Sequence, residues 1–129
     1  MLFKPSESDE SRKNWPGMVF AHGLCRPSGK YSATLSRFAS WGFIVIANQE
    51  QGDCSVINVN HPFATLENLF QLPLKFSNAV DLSLMADDIR PNLNFLAGRS
   101  DVDSGRLALM GHSMGGEIVI AVASELGEQ

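Results

Sequence analysis

Residues 1–15 are mostly polar and charged, and read as a leader ahead of the patterned part of the chain. After Pro16-Gly17 the run "MVFAHG" is short, continuously apolar and closed by Gly23, which predicts a strand covered on both faces. Tyr31, Leu35, Phe38 and Ala39 then recur at helical spacing, with Gly42 placed to stop the helix. "FIVIAN", residues 43–48, is a second β-branched run, too short for a helix. Residues 48–78 are irregular, with only residues 62–70 suited to a short helix. A stripe of Leu82, Met85, Ile89, Leu93 and Leu96 predicts a helix over residues 79–97, kinked by Pro91 inside it. Residues 98–105 are rich in turn formers. "RLALM", residues 106–110, predicts a third strand, and residues 114–126 a third helix.

Strands that alternate with helices imply right-handed crossovers and a parallel sheet with helices on both faces. The expectation is therefore an α/β domain over residues 16–129, with three strands and about three helices behind a polar leader at residues 1–15.

Composition narrows the field. At 129 residues and 14.1 kDa the chain suits one small core, and 44% hydrophobic with 19% charged residues reads as soluble and globular. Ten basic against 14 acidic residues leave a net charge of -4, with no Lys/Arg cluster for nucleic acid. No stretch is long and apolar enough for a membrane span, and the N-terminus has no apolar h-region of a signal peptide. The compartment is open, cytoplasmic by default. Cys25 and Cys54 are either two free thiols or one bridge, and no residue set calls for a metal or a cofactor.

The candidate chemistry lies between the third strand and the third helix, in Gly111-His112-Ser113-Met114-Gly115-Gly116. A sharp strand-to-helix turn lifts a serine hydroxyl out of the sheet, at the expense of a strained backbone and crowded neighbours. Gly111 and Gly115 stand two residues either side of Ser113, where a side chain would collide. Gly116 is read as letting the following helix sit close to the sheet. The helix N-terminus adds free N–H groups and positive dipole, which suit a developing oxyanion. G-x-S-x-G alone recurs by chance in roughly a few per cent of chains this long, so its weight comes from the strand before it and the helix after it.

"VFAHGLCRPSGKYSATLSRFASWGFIVIANQ" together with "RLALMGHSMGG" resembles the α/β-hydrolase superfamily. The resemblance is to the branch of dienelactone-hydrolase-like proteins, platelet-activating-factor acetylhydrolases, chlorophyllases and bacterial polyester hydrolases or cutinases. It implies a carboxylic-ester hydrolase acting on a small ester or lipid-like substrate. Ser113 would be the nucleophile of an acyl-enzyme, and the N–H groups of Leu24 and Met114 the oxyanion donors. Gly23, in the His-Gly pair ending the first strand, would let the chain turn so that Leu24 faces the site.

In that superfamily the triad acid and histidine follow the serine. Here His22, His61 and His112 all precede it, so neither partner is expected in this chain. His22 is read as packing in the oxyanion loop and His112 as pointing away from Ser113. His61 is either a solvent-exposed loop residue or a base able to swing inward. Asp87, Asp88, Asp101 and Asp103 read as solvated or capping groups. Phe63, Leu66, Leu69, Phe70, Leu72, Leu74 and Phe76 form either a lid over a greasy pocket or ordinary packing. Two functions follow: a serine esterase of which this chain is the central portion, inactive by itself, or a non-catalytic hydrolase-like protein.

Overall fold

The structure, a computed structural model, describes residues 1–6, 14–23, 28–47 and 82–127. The strands are β1 (Leu2–Phe3), β2 (Trp15–Ala21), β3 (Ile44–Ala47) and β4 (Val102–Gly111). The helices are α1 (Ser32–Ser40), entered through a 3-10 turn at Ser28–Tyr31, α2 (Leu82–Ala97) and α3 (Met114–Gly127). The sheet runs β1-β3-β2-β4, with β2 parallel to both neighbours and β1 antiparallel to β3. It is a mostly parallel sheet with helices on both faces, a partial α/β-hydrolase fold.

β2 explains the arrangement. Its side chains alternate: Val19 and Ala21 enter one core with Ile89 and Leu96 of α2 and Ile118, Val119 and Val122 of α3. Met18 and Phe20 enter a second core with Leu35 of α1 and Val45 and Ala47 of β3. A strand buried on both faces needs apolar residues at every position, and "MVFA" supplies them. α2 runs through Pro91, and the stripe read from the sequence turns Ile89 and Leu96 inward, with Leu93 packed against the same core.

Two expectations are corrected. The stretch read as a leader contributes β1, so the described sheet has four strands where three were expected. The reason is short-range. Leu2 pairs with Ile46 and Phe3 with Val45, Met1 and Ala47 exchange two backbone hydrogen bonds of 2.8 and 2.9 Å, and Phe3 rests on the α1-side core. Two apolar residues are too few to register as a pattern. The third strand also begins earlier than residue 106. Pro16 pairs with Asp103 and Gly17 with Leu107, so Ser104, Gly105 and Arg106 bulge out of β4. Proline has no N–H for the ladder and is tolerated in a central strand only beside such an irregularity.

Gly42 ends α1 with φ at 95°, as the sequence indicated for a helix stop. Phe43 N–H reaches the Phe38 carbonyl and Gly42 N–H the Ala39 carbonyl, the paired bonds of a Schellman cap. The Trp15 indole lies where a Cβ on Gly42 would be, 2.7 Å away, so both conformation and space exclude a side chain.

Candidate active site

The end of β4 and the start of α3 bracket Ser113 with a single turn. Ser113 has φ at 55°, and it is the one non-glycine residue with positive φ among those described. An L-residue in that region is strained by about 1–2 kcal/mol. Neighbouring contacts hold it there. Gly115 N–H donates to the His112 carbonyl at 3.0 Å and Gly116 N–H to the Ser113 carbonyl at 2.8 Å, while His112 N–H donates to the Ala21 carbonyl at 3.1 Å. As the first residue of α3, Met114 has an N–H without an intrahelical acceptor.

The glycines divide into two kinds. A Cβ on Gly111 would lie 2.2 Å from the Gly115 carbonyl oxygen, and one on Gly115 2.3 Å from the Ala21 oxygen. Backbone therefore meets backbone, and neither position has room for a methyl. Gly116 differs, because its Cβ would meet only the Gly111 oxygen at 3.9 Å. The close approach read at Gly116 belongs to Gly115, which packs against the end of β2. Gly23 is intermediate: its Cβ would lie 3.0 Å from His112 Nδ1 and 3.2 Å from Ser113 Cβ. The turn after β2 thus passes directly against the elbow.

Both described histidines are engaged away from the Ser113 hydroxyl. His22 is 3% exposed, and its Nδ1 lies 2.9 Å from the Gly23 carbonyl oxygen. That contact puts the proton on Nδ1 and leaves Nε2 a buried acceptor without a partner among the described residues. His112 is exposed, with Nδ1 at 2.9 Å from Tyr31 Oη. Tyr31 Oη also accepts the Gly23 N–H at 3.4 Å, and its ring lies against those of Phe20 and His112. The sequence placed Tyr31 on the face of α1. Its position at the N-cap, where the hydroxyl turns towards the end of β2, carries no periodic signal. Leu24, Cys25, Cys54, His61 and the apolar residues 63–76 lie outside the described residues.

Asp101, just before β4, and Asp103, within it, lie at the other end of that strand. Asp101 accepts from Arg99 at 2.6 and 2.7 Å and from Lys4 at 3.2 Å, and the Arg99 hydrogen bond holds its carboxyl below the usual range. Asp103 accepts from Arg106 at 2.6 Å and from the Gly105 N–H at 3.0 Å, and its pKa is lowered, chiefly by Arg106. Asp87 on α2 is exposed and Asp88 half-buried.

The chlorophyllase family model matches residues 1–129. The chain belongs to the chlorophyllase family. That family is one of those in the branch the motifs resemble, and membership agrees with the partial α/β-hydrolase sheet. It points to hydrolysis of an ester as the class of chemistry. No curated protein matches the chain. Among the described residues, no helix of this chlorophyllase-family chain is long and apolar enough to cross a membrane.

Proposed function

We propose that this protein is a carboxylic-ester hydrolase working through Ser113. In that reading the Ser113 hydroxyl attacks the ester carbonyl while a base accepts its proton. The alcohol leaves with a proton returned by the same base, and water then releases the acid from the acyl-enzyme. The N–H groups of Met114 and Leu24 are the donors proposed for the oxyanion. The substrate class is a small-molecule or lipid-like ester, and the family's name adds chlorophyll to the esters to be assayed.

The observation that carries the proposal is the positive φ of Ser113 at a strand-to-helix turn. A conformation that costs about 1–2 kcal/mol is expected where it serves a purpose, and lifting a nucleophile clear of a sheet is such a purpose. A second reading, a hydrolase-like protein without turnover, draws support from His22 and His112, whose Nδ1 atoms are bonded elsewhere. Without a base, a serine hydroxyl retains only the acceleration of its oxyanion hole and binding, roughly 10³–10⁴ over water. Turnover by these residues alone is therefore expected to be weak.

The test is to treat the chain with a fluorophosphonate probe, assay it on a short p-nitrophenyl ester, and repeat both with Ser113→Ala. Labelling and any turnover should be confined to Ser113 and vanish in the variant, with the circular dichroism spectrum unchanged. Turnover that survives Ser113→Ala would place the nucleophile elsewhere. Neither labelling nor turnover in the wild type favours the non-catalytic reading. Rapid labelling with steady turnover shows that the chain supplies its own base, and His61 is then the first residue to substitute.

A further inference from the structure

Tyr31 lies between the two parts of the site that a serine esterase must hold in register. One is the turn after β2, represented by Gly23; the other is the elbow, represented by His112 and Ser113. Its hydroxyl touches both, at 3.4 Å from Gly23 N and 2.9 Å from His112 Nδ1. Gly23 N–H can only donate, so the Tyr31 oxygen accepts from it. The phenol keeps its own proton to donate, and donation to His112 Nδ1 is the arrangement in which each of the two hydrogen bonds polarises the next. That arrangement places the His112 proton on Nε2. The ring is held by apolar contacts as well, 4.9 Å between centroids from Phe20 and 5.5 Å from His112. Tyr31 itself is anchored where the 3-10 turn passes into α1, with Leu35 of that helix fully buried one turn on.

Among the described residues, the His112 N–H bond to Ala21 also joins the two parts, but it acts at the end of β2, two residues before Gly23. We propose that Tyr31 is a positioning residue that fastens Gly23, just after β2, to the nucleophile elbow at His112 and so steadies the presentation of Ser113. The proposal rests on the serine-esterase reading for its catalytic consequence, but the fastening itself is a property of the resting protein.

Tyr31→Phe keeps the ring contacts and removes only the hydroxyl, and two measurements follow it on the whole chain. At mildly alkaline pH, ¹⁵N NMR should show the wild-type His112 as the Nε2–H tautomer and the variant as a mixture. Amide exchange at Gly23 should rise roughly 3- to 10-fold, the scale of one neutral hydrogen bond, while Val19 in the same strand is unchanged. The maximal rate of fluorophosphonate labelling at Ser113 should fall by a similar factor, with the half-saturating probe concentration unmoved. A merely structural role would leave the tautomer alone or raise exchange at Val19 equally.

An unchanged tautomer or unchanged Gly23 exchange overturns the proposal, and so does normal labelling despite both changes. A wild type that never labels sinks the esterase reading alone, and the two NMR measurements then decide whether Tyr31 ties the turn to the elbow.

Discussion

The two ends of β4 are held by different physics. At its start, Ser104, Gly105 and Arg106 bulge from the ladder, and charged side chains gather the chain: Arg99 and Lys4 on Asp101, Arg106 on Asp103. These groups are at least partly exposed, so each pair is worth little and yields to salt and pH. At its end no charged side chain among the described residues takes part. Ser113 is kept in a strained conformation by backbone atoms of Gly111, Gly115 and Ala21 in near contact, and by three backbone hydrogen bonds around the turn. A strand terminus that only has to connect can be loose and polar. One whose backbone atoms stand in near contact is set by excluded volume, which no ionic condition relaxes.

The largest effect expected from this contrast lies at Gly115. Gly115→Ala places a methyl 2.3 Å from the Ala21 carbonyl oxygen, and β2 is central to the sheet and has nowhere to move. The loss should be about 3 kcal/mol or more, seen as a lower urea midpoint or a fall in folded yield. Gly116→Ala is the control one residue away. Its methyl finds 3.9 Å of clearance within a helix, so it should stabilise by about 0.5–1 kcal/mol. Equal effects at the two positions would show that the elbow is not held by the packing of α3 on β2.

A smaller effect isolates the strain itself. Ser113→Ala and Ser113→Gly both remove the hydroxyl, but only glycine adopts φ at 55° without penalty. The glycine variant should therefore be more stable than the alanine variant by about 1 kcal/mol, despite the greater freedom glycine has in the unfolded chain. If alanine is the more stable of the two, Ser113 is not strained and the main support for its role as nucleophile is lost.

How much of this was legible in the sequence differs between the same two ends. The elbow could be read because its needs are local: glycines at fixed offsets from Ser113, an apolar run before and a helical stripe after. The central strand β2 could be read for the same reason, since burial on both faces leaves a continuous apolar signature. The start of β4 reads as a loop in the sequence, because the pairing of Val102 and Asp103 with Trp15 and Pro16 joins segments far apart in sequence and has no period of its own. β1 carries no sequence signal for a related reason, as two apolar residues acquire meaning only beside Val45 and Ile46. Tyr31 was visible as an aromatic on a helix. That its hydroxyl meets His112 depends on a turn geometry that spacing does not encode. At Gly116 the motif invited the same reading as Gly115, and only the distance to the sheet separates them.

The smallest effect belongs to the polar end, and its pH dependence distinguishes it from the elbow. Asp101 has its pKa lowered from the ordinary 3.8, first by the hydrogen bond from Arg99 and then by Lys4. A carboxylate whose folded pKa lies below its unfolded one binds fewer protons in the native state, so its contribution to stability is complete above the unfolded value. It is lost as pH falls from about 5 through the folded pKa. Asp101→Asn keeps the main-chain bond from Trp15 N–H to the residue 101 carbonyl and removes only the charge. At pH 7 the variant should be less stable by under about 1 kcal/mol, because the pair is partly exposed and screened. In about 1 M salt the gap should shrink, since the screening length there is roughly 3 Å. Urea midpoints taken from about pH 7 down to pH 2 should show the wild type and Asp101→Asn converging below about pH 4. The difference between Ser113→Gly and Ser113→Ala, which involves no titrating group, should stay constant over the same range. A gap at Asp101 that persists undiminished at low pH would mean that the asparagine disturbs packing. The start of β4 would then be held, like its end, by shape and not by charge.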